Sequence, residues 1–321
     1  MQTEQIQNWS FLGTVPPPFG GVTVFSKRKI AQWRKQGKHV TLVDITRLSS
    51  LAKLGHFIRI LVQGQSSGLY INNLSGFYLA AAALNIGGAQ IFFHDHNYDL
   101  SRMHGLRGKL LACVLRRAKG VFFDGAHSRQ TYIAAGLLAA DKPFQISPPF
   151  IEPDMDEKED ILASYPQELM AFIAAHSPVI GANAFKIIQT EDGTDLYGVD
   201  MTIDLLAALR KTHPNTGVVF AVSVAEDTLY AAALKERLAE LHLTEHFYFF
   251  TGTRELWPLF GAVDVMIRPT STDGYGVSIA ESLFMGTPAV ASDVCTRPEG
   301  TTLFKARNAD DLLNKVRSTL V

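Results

Sequence analysis

Asp273 and Glu281 stand eight positions apart, on either side of Gly274-Tyr275-Gly276-Val277-Ser278. Carboxylates accept hydrogen bonds from hydroxyls, so such a pair suits two sugar rings, one of them a ribose. Gly274 and Gly276 lack a Cβ and let the main chain approach a ligand closely. An apolar run ends at Arg268, ahead of the loop, and a helical pattern begins near Gly276 and runs to about Met285. The N–H groups and dipole at a helix start favour an anion, and a diphosphate is a suitable guest. Two simpler readings stay open. Ser278-Ile-Ala-Glu281 before an apolar run has the form of a capping box, and Asp273 that of a turn aspartate.

The surrounding elements are those of an α/β protein. Short apolar runs alternate with longer helical patterns, the signature of βαβ units and parallel sheets. Strands are predicted at 39–45, 68–72, 90–94, 120–124 and 144–148, then at 178–184, 217–224, 246–251, 264–268 and 289–292. A chain of 321 residues exceeds the size at which single cores usually stop growing. The proline-rich, acidic stretch from Pro148 to Pro178 reads as a linker with a helix, which divides the chain into 1–176 and 177–321 near Ser177. Two successive parallel sheets predict a cleft between them, with ligands at the carboxyl ends of the strands.

The motif resembles the large glycosyltransferase family 4. Its members carry an acidic residue, seven others and a glutamate around a Gly-aromatic-Gly loop, then a Gly-x-Pro-Val-Val-Ala-Ser strand. Here these read Asp273-Gly-Tyr-Gly-Val-Ser-Ile-Ala-Glu281 and Gly286-Thr-Pro-Ala-Val-Ala-Ser292, with aspartate where glutamate is usual. The resemblance implies a GT-B fold, two Rossmann-like domains with parallel sheets facing across an interdomain cleft. The first domain would bind the acceptor and the second the nucleotide-sugar donor. By the same resemblance Asp273 contacts the donor sugar, the backbone of Gly274, Tyr275, Gly276, Val277 and Ser278 its sugar and phosphate, and Glu281 the ribose.

Three further features fit the resemblance, one of them with a departure. Pro16-Pro17-Pro18-Phe19-Gly20-Gly21-Val22 looks like the family's amino-terminal glycine loop, so Gly20 and Gly21 are assigned to the donor phosphates; a plain turn is the alternative. His94, in His94-Asp95-His96, is assigned to the family's cleft histidine and, with Asp273, to catalysis. Two histidines at i, i+2 with no third convergent ligand in the sequence give weak grounds for a metal, and none is predicted; a buried, hydrogen-bonded histidine is the other reading. The Arg and Lys that usually grip the diphosphate are replaced: Asn183 and Lys186 lie near the first position, and Tyr197 stands where lysine is expected. Lys186 is therefore the candidate phosphate contact, with Arg268 and Arg297 as further sources of positive charge.

Charge is unevenly distributed. Residues 1–150 hold 17 Lys+Arg and 6 Asp+Glu, a balance of +11, and residues 151–321 hold 13 and 25, a balance of −12. Two basic runs, Lys27 to Lys38 and Arg102 to Lys119, fall in amphipathic helical patterns, read either as solvated helices or as a surface for an anionic membrane face. A near-neutral balance without aromatic-basic interleaving argues against nucleic acid. Cys113 and Cys295, each read in an apolar context, predict neither a disulfide framework nor a metal cluster and suit a reducing cytoplasm. No signal-peptide or membrane-spanning pattern is read.

The expected activity is retaining, metal-independent transfer of a hexose from a UDP- or GDP-hexose to a glycan or lipid-linked acceptor, in polysaccharide biosynthesis. No cofactor beyond this co-substrate is implied, and the location is cytoplasmic, at most peripheral at the inner membrane face. A hydrolase or phosphorylase built on the carboxylate pair is less well supported. A catalytically silent GT-B subunit that binds a partner glycosyltransferase or a glycan remains the alternative.

Overall fold

A computed structural model describes residues 5–96, 100, 103–224, 228–252 and 254–320. Its first elements are β1 (Asn8–Leu12), α1 (Gly21–Lys35), β2 (His39–Val43), α2 (Ser50–Val62), β3 (Ser67–Ile71), α3 (Gly76–Ala83), β4 (Gln90–Asp95), α4 (Gly105–Arg117), β5 (Gly120–Phe123), α5 (Ala126–Ala134) and β6 (Gln145–Ile146). They are followed by α6 (Lys158–Ala163), α7 (Gln167–Ala175), β7 (Val179–Ala184), α8 (Val199–Leu209), β8 (Gly217–Val222), α9 (Leu229–Glu240) and β9 (Phe247–Thr251). The last are α10 (Trp257–Phe260), β10 (Val265–Arg268), α11 (Val277–Phe284), β11 (Ala289–Ser292), β12 (Thr302–Phe304) and α12 (Ala309–Thr319).

The chain divides into two units, one formed by the residues up to Pro17 with Gly21–Ile151, the other by Pro18–Gly20 with Glu152 onward. Each holds a six-stranded sheet, ordered β2-β1-β3-β4-β5-β6 in the first and β12-β11-β10-β7-β8-β9 in the second. All the strand pairings are parallel. Helices cover both faces of such sheets, so central strands are buried continuously rather than alternately, as β8 is over its whole length.

The division at Glu152 precedes Ser177 because α6 and α7 belong to the second core. Tyr165 and Leu169, which follow α6 and lie in α7, pack with Val179, Val219 and Phe250. Two strands lie outside those read from the sequence. β12 is a three-residue edge strand. β1 sits between β2 and β3 and buries Trp9 and Phe11 against Trp33 and Tyr70.

The first basic run is divided: Arg34 and Lys35 are exposed, whereas Arg28, Lys29 and Lys38 are drawn inward. Arg28 is buried and donates to the Ile151 carbonyl at 3.0 Å. Lys29 lies 5.4 Å from the Trp33 ring centroid, and Lys38 lies 5.5 Å from Trp33 and 5.9 Å from Trp9, within cation–π range. Burial, then the neighbouring Lys38, pushes the Lys29 ammonium down. In the second run Arg102 lies outside the described residues, and Arg107 to Arg117 lie on α4. Among the described residues no helix is long and apolar enough to cross a membrane.

Candidate active site

In the second unit β10 pairs in register with β11, Arg268 opposite Ala291, so the loops that leave their carboxyl ends lie side by side. The Arg268 guanidinium therefore meets the Asp273 carboxylate through both Nε and Nη2, the latter at 3.1 Å. Arg297, from the loop after β11, adds Nη1 at 2.5 Å to the same carboxylate. Its Nε donates to the Ser292 carbonyl, and its Nη2 donates to Thr270 Oγ1 and Ser292 Oγ, each at 3.0 Å. Arg268 Nη1 reaches Asn183 Oδ1 at 3.2 Å and Ser278 Oγ at 3.3 Å, which ties the end of β7 to the start of α11. Burial by itself would raise the Asp273 carboxyl, but Arg268 and then Arg297 outweigh it and hold the group far below the usual carboxylate range.

α11 begins on Gly276, in the left-handed region at φ 90°, with no side-chain cap. The capping-box reading therefore fails: Ser278 lies inside the helix, and its hydroxyl serves Arg268. A Cβ at Gly276 would come within 2.9 Å of Arg297 Nη1, at a backbone angle that side chains rarely adopt. Gly276→Ala is accordingly expected to destabilise the second unit by about 1–3 kcal/mol and to displace Arg297. Urea unfolding of the variant checks this, and an unchanged midpoint would refute it.

Glu281 is buried near the middle of α11. Burial first, and then its charge with that of Glu255, pushes the Tyr165 hydroxyl up. Gly274 is exposed at the loop tip, with its N–H on Asp273 Oδ1, and Tyr275 and Val277 are half-buried. Lys186 is half-buried two residues beyond β7. Gly20 ends the short segment grouped with the second unit, whereas Gly21 opens α1 in the first.

Tyr197 stands where the family's lysine was expected, and it is drawn into the same cluster. Burial pushes its hydroxyl up, opposed by the Arg268 charge and reinforced by Asp273. Cys295 corrects the reading of an apolar context: it is half-buried in the electrostatic reach of Arg297, Asp273 and Arg268. The preceding loop is held by buried Asp195, which accepts from the N–H groups of Tyr197, Gly198 and Asp200 and from the Tyr230 hydroxyl. Gly198, at φ 71°, packs so closely on Pro269 that a Cβ would lie 2.3 Å from its carbonyl oxygen.

In the first unit His94 ends up inside the wall. Its side chain is 0% exposed, with Nδ1 2.7 Å from the Tyr70 hydroxyl and Nε2 3.1 Å from Asp124 Oδ1. Burial, then His96, pushes it down to about 4 against the opposing pull of Asp124, so the ring is neutral at pH 7. A neutral ring donates once, from Nε2 to the carboxylate, and Nδ1 then accepts from Tyr70. His96 Nδ1 lies 2.9 Å from Asp124 Oδ1 and its Nε2 2.6 Å from Asn72 Oδ1. The ligand-type atoms of His94, His96 and Asp124 lie within 4.8 Å of one another, a span a divalent ion could bridge. Both nitrogens of both rings nevertheless face hydrogen-bond partners within the wall.

His96, not His94, lines a cavity of about 560 Å³ at the carboxyl ends of β1 to β4. Asn72, Asn73, Ser75, Asp95 and Arg107 give that cavity polar groups suited to hydroxyls. Asp124, which joins the two histidines, was not singled out in the sequence. The available signal was its place at the end of a predicted strand, as His94 ends another.

Residues 193–320 match the family Glycosyl transferases group 1. This match covers the Asp273–Glu281 segment, α11 and the strands on either side. The lipopolysaccharide core biosynthesis mannosyltransferase LpsB of Rhizobium meliloti is 28% identical over 111 residues, 34% of this chain and 30% of that protein. The lipopolysaccharide glucosyltransferase WaaG of Escherichia coli is 26% identical over 152 residues, 47% of this chain and 38% of that protein. The matched stretches thus span about a third of the length of these curated relatives. The crystal structure of Anabaena HepE in complex with UDP and glucose superposes with a TM-score of 0.66 at 16% identity, covering 97% of this chain and 89% of that one. The fold is that of the GT-B glycosyltransferases.

Proposed function

We propose that this chain is a retaining, metal-independent hexosyltransferase that takes a nucleoside diphosphate sugar, such as a UDP- or GDP-hexose, to a hydroxyl of a glycan or lipid-linked saccharide. The observation that carries this reading is the loop from Asp273 to Gly276 at the carboxyl edge of the second sheet, opening an uncapped helix that bears Glu281. Main-chain N–H groups at that helix start, with Lys186 and the arginines, would meet the charge on the leaving diphosphate. The family match over the same residues and the relatives described as mannosyl- and glucosyltransferases support it. In the first unit, the cavity lined by Asn72, Asn73, Ser75 and His96 would take the acceptor. A cytoplasmic location with peripheral contact to an anionic membrane completes the proposal.

A second reading rests on a specific feature. Both guanidinium groups near the motif are committed to Asp273, and tyrosine replaces the expected lysine at Tyr197, which suits a silent subunit that acts with a partner glycosyltransferase. Calorimetry with UDP-, GDP- and ADP-hexoses, paired with release of free nucleotide, separates the two. Binding of one donor with slow nucleotide release is expected. Absence of binding for all three would overturn the transferase reading and leave the silent subunit.

A further inference from the structure

α2 carries an apolar stripe that faces outward. Leu51, Leu54, Ile58 and Val62 are spaced to share one helix face, and they are 83%, 56%, 52% and 61% exposed, while Ile60 on the opposite face is fully buried. Leu84 and Ile86 continue the patch at 55% and 83% exposure, because the Ile86 N–H bonds the Leu61 carbonyl at 2.9 Å beside the end of α2. A helix on a soluble α/β domain ordinarily turns such a stripe to the core. Contiguous exposed apolar surface marks a binding face.

The charges around the patch indicate what covers it. α3 packs between α2 and α4, and the three helices contain no aspartate or glutamate. They do contain Lys53, Arg59, Arg107, Lys109, Arg116 and Arg117. Arg117 is used internally, donating to the Ala83 and Asn85 carbonyls, and Arg107 reaches the Leu74 carbonyl. Arg59, Lys109 and Arg116 are exposed. A symmetric dimer through this face would set the cationic layer against itself, and nucleic acid offers nothing for an outward row of Leu and Ile. An apolar row beside cations, with no acid among them, matches the boundary between acyl chains and anionic headgroups.

We infer that the α2–α4 layer is a monotopic docking face for anionic phospholipid bilayers, with Leu54, Ile58 and Val62 entering the headgroup–acyl boundary and Lys109 and Arg116 meeting lipid phosphates. The inference locates the membrane contact proposed above and stands independently of the sugar-transfer reaction. Of the first basic run, Arg28, Lys29 and Lys38 are engaged within the unit, and the run lies on α1 and the turn after it, outside the α2–α4 layer.

The test is co-sedimentation with phosphatidylcholine vesicles with and without phosphatidylglycerol, read in the absence of donor or acceptor. The native chain should bind the anionic vesicles, and binding should weaken as salt rises. Lys109→Ser with Arg116→Ser should weaken partition on the order of thirty-fold. Leu54→Ser with Ile58→Ser should weaken it about ten-fold or more. These side chains are exposed, so an unchanged thermal melt and unchanged nucleotide calorimetry would show that both variants are folded. Equal binding to uncharged vesicles, or native-like binding by either double variant, would overturn the inference. So would a native dimer that Leu54→Ser with Ile58→Ser dissolves while vesicle binding persists. Failure here leaves donor binding untouched, so the two readings fall separately.

Discussion

Replacing Asp273 by alanine is expected to lower the stability of the second unit by about 3–5 kcal/mol, the range found when one partner of a buried charge cluster is removed. The substitution leaves Arg268 and Arg297 facing each other with no anion between them, at 12% and 2% side-chain exposure. Asp273→Asn keeps the shape and two lone pairs but not the charge, so it should fall between the native chain and the alanine variant. Both variants should lose donor binding.

A control separates scaffold from chemistry. Replacing Asp273, Arg268 and Arg297 together by apolar residues removes the orphaned charges and should recover much of the stability. If Asp273 and the arginines also serve the donor, the recovered fold still binds no nucleotide sugar. Recovery of both stability and binding would limit the cluster to a structural role. Acid should act like the asparagine variant. The folded-state value of Asp273 is depressed, so its contribution is complete above the ordinary carboxylate range, near pH 4, and declines as pH falls below that. Urea midpoints at pH 7 and pH 3 check the direction.

The first unit should weaken at a milder acidity. His94 is held at about 4 in the folded state against an ordinary 6.5. Between those values the unfolded chain binds a proton that the folded unit refuses, so stability falls as pH drops from about 6.5 to about 4. The shift corresponds to about 3 kcal/mol at the lower end. Trp9 and Trp33 lie in this unit, and Trp257 lies in the other. In a Trp257→Phe background, tryptophan fluorescence therefore follows the first unit alone. Denaturation midpoints at pH 7, 5.5 and 4.5 should fall steadily, and a flat profile would refute a neutral, buried His94. The cause is burial first and the neighbouring His96 second, which together outweigh the opposing pull of Asp124, and a second ring proton would face the Tyr70 hydroxyl.

These effects mark the limit of what the residues alone disclose. The alternation of apolar runs and helical patterns is local, and ten strands read from it fall on observed ones within a few residues, β4 and β11 among them. β1 escaped because five residues before a proline-rich turn carry little periodic signal. Its importance comes from lying between β2 and β3, a matter of strand order. The tail of the first domain escaped for a similar reason: proline and acidic residues between Pro148 and Pro178 resemble a linker until Tyr165 and Leu169 are seen in the second core.

The candidate site divides in the same way. Asp273, the two glycines and Glu281 are close in sequence, and their spacing around a helix start was enough to suggest a carboxylate pair with an anion cradle. Tertiary structure decided what each side chain faces. Arg268 and Arg297 lie 29 positions apart and converge on Asp273 only because β10 and β11 pair in parallel with Arg268 opposite Ala291. His94 and Asp124 meet because β4 and β5 are neighbours, which buries the histidine chosen from the sequence and presents His96 to the cavity instead. Spacing along a chain constrains which groups share a turn. The partners that shift a proton or neutralise a charge come from strands distant in sequence, and only the sheet that orders those strands brings them together.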